Sequence, residues 1–182
     1  MSLTVWCPLA MEARAARRGS RGEAKVVCTG MGPDRSRRVE PQSGPVAVVG
    51  MGGAVVDGIE PGDVVVATEV SAADVTSIGL PQAEAVARGL SDAGFTVHTG
   101  PVASVSKLAV GSRRQELADR GAVAVDMESA WLLERHRGPA AVVRVVTDTP
   151  AHELRSATAP ARIYRALRTI RRLTPVLTRE VG

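Results

Sequence analysis

The feature that most limits the fold of this chain is a series of valine-rich runs, each the length of one strand, separated by segments with helical spacing. Residues 3–9, 24–29, 45–49, 64–70, 95–105, 123–125 and 139–147 read as strands. Residues 10–18, 33–38, 81–93, 112–119 and 127–137 read as helices. Strands covered on both faces appear as continuous apolar runs instead of alternating ones, and strands that alternate with helices build parallel sheets. The pattern predicts an α/β fold, a three-layer α/β/α sandwich around a mostly parallel central sheet. With 45% hydrophobic but only 2% aromatic residues, its core has to be assembled from Val, Ala, Leu and Ile. A length of 182 residues suits one domain, 1–182, able to bury about two thirds of its unfolded surface.

Several functional classes are disfavoured. Cys7 and Cys28 fall in expected buried strands with no spacing of a zinc site or redox pair, and His98, His136 and His152 have no metal-ligand spacing. No metal or organic cofactor is expected. No apolar run approaches the ~18 residues of a membrane span, and the first residues lack the pattern of a secretory signal, so a cytoplasmic protein is expected. The net charge of +4 is uneven: residues 155–182 hold seven arginines and one glutamate, +6, which leaves −2 for the rest. The main body is therefore no nucleic-acid binder by charge.

Chemistry concentrates at the ends of the expected strands. In residues 122–134, AVAVDMESAWLLE, an apolar run passes into Asp126-Met127-Glu128 and then into a helix. A carboxylate there either caps the helix or grips a ligand. Gly30-Met31-Gly32 follows one strand and precedes a helix, a geometry that presents backbone N–H groups to an anion. Gly50 to Gly53 and Asp148 close two further strands. Parallel sheets bind ligands beyond the carboxyl ends of their strands, so Gly50 to Gly53, Asp126 to Glu128 and Asp148 are expected to share one crevice.

In residues 160–182, Ile163, Leu167, Ile170 and Leu173 occupy one face and arginines the other, a basic amphipathic helix ended or kinked at Pro175. It reads as a docking helix with a solvated face, or as one that contacts an anionic membrane surface or an extended lipid-like ligand.

Taken in order, Thr29-Gly-Met-Gly32, Val49-Gly-Met-Gly-Gly-Ala-Val55 with Pro61-Gly-Asp-Val-Val65, Ala124-Val-Asp-Met-Glu-Ser-Ala130 and Val143-Arg-Val-Val-Thr-Asp148 resemble the successive signatures of the nucleoside phosphorylase and nucleosidase superfamily. The likeness spans about residues 3–154. The phrase Gly100-Pro-Val-Ala-Ser-Val-Ser-Lys107 and the arginine-rich tail are similar to the hopanoid-associated phosphorylases, which act on adenosylhopane. The resemblance implies cleavage of the N-glycosidic bond of an adenine nucleoside with a 5′-substituent. Asp148 would protonate the base, Glu128 would hold the ribose hydroxyls, and Met127 would pack under the sugar. Gly52 and Gly53 would let the substrate approach the backbone, and Leu108 falls near the position that stacks on the base. A homodimer or higher homo-oligomer is implied as well.

The nucleophile is where the chain departs from the pattern. Hydrolytic members resemble Ala-Met-Glu-x-Glu, with the second glutamate activating water, whereas this chain reads Ala10-Met-Glu-Ala-Arg14. Arg14, with the Gly30 turn, points to a phosphate site and to phosphorolysis with phosphate as co-substrate. That site would lack two family features, since Val48 and Met51 stand where an arginine and a hydroxyl residue are usual. Arg35, Arg37 or a partner's arginine would have to complete it. Glu12 is the alternative, a base for water in a hydrolase of the methylthioadenosine/S-adenosylhomocysteine nucleosidase type. A nucleoside binder without chemistry is the third reading.

Overall fold

The computed structural model describes residues 2–152 and 158–182; Arg155 of the basic tail and the far end of the resemblance, Leu154, lie outside them. The strands are β1 (Thr4–Cys7), β2 (Lys25–Cys28), β3 (Val46–Ala54), β4 (Val64–Ala72), β5 (Val75–Gly79), β6 (Val97–Ser104), β7 (Ala124–Asp126) and β8 (Ala140–Asp148). The helices are α1 (Ala10–Ser20), α2 (Pro33–Ser36), α3 (Ala83–Asp92), α4 (Ser112–Asp119), α5 (Ser129–Leu133) and α6 (Ala159–Glu180).

All these strands belong to one α/β sheet. It is mostly parallel: β1 with β2 and β3, β3 with β8, β4 with β6 and β6 with β7. The pairs β3–β7, β4–β5 and β4–β8 are antiparallel. The period-two alternation sends neighbouring valines to opposite faces. Val5, Val49, Val64 and Val143 pack under α1, α3 and α6, while Trp6, Val48, Val65 and Val142 join the cluster under α5. The fully apolar runs are thereby explained, because both faces are core.

The central layer is not an open sheet. β3 pairs with β8, β8 with β4, β4 with β6, β6 with β7, and β7 returns to the far end of β3 at Gly53 and Ala54. This closes a small barrel, with β1, β2 and β5 outside the ring. Closure requires strands to coil, and bulges and glycines allow it. The β3–β8 register shifts between Gly52 and Gly53, so Gly53 faces Asp148.

Four local expectations need correction. Gly50 to Gly53 is not a loop after a strand but the second half of β3. β5 was not anticipated, because an edge hairpin strand that is largely exposed carries no apolar run. Cys28 is exposed because β2 is an edge strand; Cys7 is buried, and both thiols are free. α6 does not end at Pro175 but continues to Glu180. Pro175 cannot donate to the carbonyl of Arg171, and that carbonyl lies against Gly19 of α1, where a Cβ would approach it to 2.2 Å. Among the described residues, no helix is long and apolar enough to cross a membrane.

Candidate active site

Helix α1 begins at the end of β1, and its third residue, Glu12, reaches back over the turn. One carboxylate oxygen accepts from Leu9 N at 2.8 Å and the other from Met51 N of β3 at 2.7 Å. Glu12 therefore caps its own helix and ties it to the central strand. Burial holds its carboxyl above the ordinary range, against the lowering effects of those two N–H groups and of Arg144.

Arg144 stands in the middle of β8 with no exposed surface. Its Nε donates to Asp126 Oδ2 at 2.9 Å, Nη2 donates to Ser129 Oγ at 2.8 Å, and Nη2 lies 3.6 Å from Glu128 Oε2. Asp126 Oδ1 accepts from Ser104 Oγ at 2.6 Å and from the N–H groups of Glu128 and Ser129 at 3.0 and 3.1 Å. Burial opposes charge on Asp126, but Arg144 and these donors outweigh it and hold its carboxyl below the usual range. Of the two roles open to this carboxylate, capping the turn into α5 is the one its contacts perform.

Glu128, at the mouth of that turn, has fewer partners. Its Oε2 accepts from Met127 N at 3.3 Å. Burial pushes its carboxyl up to about 7, with Arg144 opposing and Asp126 adding to the rise. A buried carboxylate with a poor share of donors is held ready for donors from elsewhere.

The glycines of β3 admit these charges. A Cβ on Gly50 would lie 2.5 Å from Arg144 Nη1, one on Gly52 3.2 Å from Arg144 Cβ, and one on Gly53 2.8 Å from Asp148 Oδ2. Asp148, buried at the end of β8, accepts from Thr147 Oγ1 at 3.1 Å and pairs with Arg114 of α4. Arg114 is in turn fixed by the carbonyls of Ala54 and Ala109, each at 3.1 Å.

These groups open on one cavity of about 370 Å³, lined by Glu12, Gly52, Gly53, Met127, Glu128 and Asp148, with Leu108 at its rim. The volume lies within the range of about 300–1,000 Å³ usual for small-molecule sites. The lining is mainly apolar, with Met11, Met31, Met51 and Ile163 among its walls. The expected residues Arg14 and Gly30 are not among the lining residues. Arg14 is exposed: two positions along a helix is a turn of about 200°, so when Glu12 faces the cavity Arg14 faces solvent. Gly30 has φ of +85° and sits against the Arg35 side chain. A larger hollow of about 670 Å³, walled by Asp34, Arg37, Asp74 and Trp131, shares Val105 and Leu108 with this cavity.

Sequence reasoning gave no role to Arg144 or Arg114. Arg144 did leave a signal, a lone charge in an otherwise apolar strand, and such a charge has to be paired when buried. Arg114 left none, since Arg113 beside it is exposed and pairs with Glu116. Among the described residues no acidic, histidine and cysteine side chains cluster as a metal site.

The fold has many solved relatives. A futalosine hydrolase mutant of Helicobacter pylori strain 26695 superposes with a TM-score of 0.81 at 14% identity, over 98% of this chain and 99% of that one. The Campylobacter jejuni 5′-methylthioadenosine/S-adenosyl homocysteine nucleosidase gives 0.80 at 12%, over 98% and 99%. The Streptococcus pneumoniae MTA/SAH nucleosidase, in complex with 8-aminoadenine, gives 0.77 at 17%, over 98% and 99%. No curated protein matches the sequence. The family model of the phosphorylase superfamily matches residues 20–175. The chain belongs to the phosphorylase superfamily, as an enzyme of the nucleoside phosphorylase and nucleosidase kind that its sequence resembles.

Proposed function

We propose that this protein cleaves the N-glycosidic bond of an adenine nucleoside bearing an apolar 5′-substituent, with water as the nucleophile. The observation that carries the reading is that Glu12, Glu128 and Asp148 line one cavity, together with the already paired Asp126, while Arg14 stays outside it. Asp148 acts as the general acid on the base, a role worth about 10²–10⁴-fold. Glu128 accepts from the ribose hydroxyls, and its charge favours the cationic sugar of the transition state. Glu12 has spare lone pairs beyond its two backbone donors, and a carboxylate made more basic by burial suits proton removal from water.

Hydrolysis replaces the phosphorolysis expected from Arg14 and Gly30. An anionic nucleophile would meet carboxylates at the cavity wall, and Arg144, the cation beneath them, already serves Asp126 and Ser129. The apolar 5′-group is supported by the rim. Met11, Met31 and Leu108 are each nearly half exposed at the mouth, and the other exposed large apolar side chains among the described residues, Val110 and Tyr164, lie close in sequence to Leu108 and Ile163. Exposed apolar clusters of this kind mark binding surfaces. Adenosylhopane, implied by the sequence resemblance, carries such a group; methylthioadenosine carries a smaller one.

The test is adenine release from adenosines with progressively longer 5′-alkyl groups. KM should fall with chain length, Met31→Gln should erase the trend, and Glu12→Gln should lower kcat about 10²-fold or more. Full activity in Glu12→Gln with loss in Arg14→Ala would restore phosphorolysis.

A further inference from the structure

A third hollow, of about 430 Å³, lies where the end of α1 meets the middle of α6, and Arg18, Arg21, Arg168, Arg171 and Arg172 line it with Phe95. No carboxylate is among its lining residues. Among the described residues, none of these arginines has an ion-pair partner, whereas Arg37, Arg88 and Arg113 each pair with an acid. Like charges at i, i+4 weaken a helix, and Arg168 and Arg172 stand at that spacing with Arg171 beside them. The fold then adds to the repulsion. Gly19 lets α1 approach the backbone of α6 at Arg171, which brings the arginines of both helices to one hollow. Phe95 holds the Arg172 guanidinium over its ring at 5.2 Å.

We propose that this arginine cleft is a binding site for a phosphate group carrying two or more negative charges, separate from the nucleoside cavity. Guanidinium forks match phosphate oxygens in pairs, and several around one hollow favour a compact multivalent anion over a single carboxylate. The chemistry is shared by soluble pyrophosphate or tripolyphosphate groups and by a phosphomonoester lipid headgroup.

The experiment titrates the full chain with pyrophosphate and with tripolyphosphate by calorimetry. In parallel, cosedimentation compares phosphatidylcholine vesicles with and without phosphatidic acid. Each is run on the wild type, on Arg168→Gln/Arg171→Gln, on Arg18→Gln/Arg21→Gln, and on Arg88→Gln/Arg113→Gln, which removes the same charge elsewhere. The expected result is one anion per chain, weakened tenfold or more by either cleft pair and unchanged by the control pair. Asp148→Asn should bind normally, and the cleft variants should keep the wild-type unfolding midpoint and nucleoside cleavage. Binding of the soluble anions supports the site with a soluble ligand; binding of phosphatidic acid vesicles alone, with the same variant losses, supports it with a lipid headgroup. Absence of binding to either probe, equal losses in the control pair, or loss in Asp148→Asn overturns it.

Discussion

The two ends of α1 face opposite electrostatic surroundings. At its start Glu12 joins Asp126 and Glu128 around Arg144, all buried, with the arginine and Asp126 supplied with partners on nearly every side. At its end Arg18 and Arg21 join three arginines of α6 in the open, without acids among the described residues. A charge taken out of water has to be matched within the protein, whereas an exposed one is screened and can stay unmatched. The first region therefore resists substitution and sets the fold and the chemistry together. The second is free to change without unfolding the chain.

That contrast can be broken or sharpened by measurement. Asp148→Asn should lower the rate of base release by about 10²–10⁴-fold, read as kcat on the folded variant. Arg144→Met leaves Asp126 and Glu128 buried without their cation and should destabilise the protein by about 3–5 kcal/mol in urea unfolding. Arg168→Gln in the cleft should stay within about 0.5 kcal/mol by the same method. Equal losses for the two arginines would dissolve the distinction.

Titration of Glu128 gives a smaller effect with a definite sign. Its carboxyl rises from 4.5 to about 7 on folding, so between those values the native state binds more protons than the unfolded one and stability falls as pH rises. The shift corresponds to up to about 3 kcal/mol by pH 8. Glu128→Gln should flatten that part of the decline, seen by comparing unfolding midpoints at pH 5 and pH 8. The same variant should lose the rise of kcat/KM expected through pH 7 as the carboxylate forms.

Gly19→Ala forces a Cβ onto the Arg171 carbonyl and should cost about 1–3 kcal/mol. Arg14→Ala should do least, leaving both stability and base release near wild type, because the side chain is exposed on the face opposite the cavity.

Much of this was legible in the chain. The valine runs announced a sheet covered on both faces, and the strand-end residues Gly52, Gly53, Glu128 and Asp148 do meet at one cavity. Barrel closure was not legible, because β7 is short and pairs antiparallel with Gly53 and Ala54 alone, at the far end of β3. Which of Glu12 and Arg14 faces the cavity was not legible for a related reason. Motif spacing counts residues, but the angle at which a helix leaves its strand decides which of two residues faces the cavity. Arg114 shows the limit most plainly, since it is buried by tertiary packing alone, beside an exposed arginine of the same helix.

The central claim is that carboxylates, not a bound phosphate, drive the cleavage. It is tested most directly by following adenine release from a 5′-alkyl adenosine in phosphate-free buffer and again with phosphate added. The same rate is expected in both, with the free 5-alkyl-substituted ribose as the sugar product. Release only when phosphate is present, with a sugar 1-phosphate as product, would contradict it.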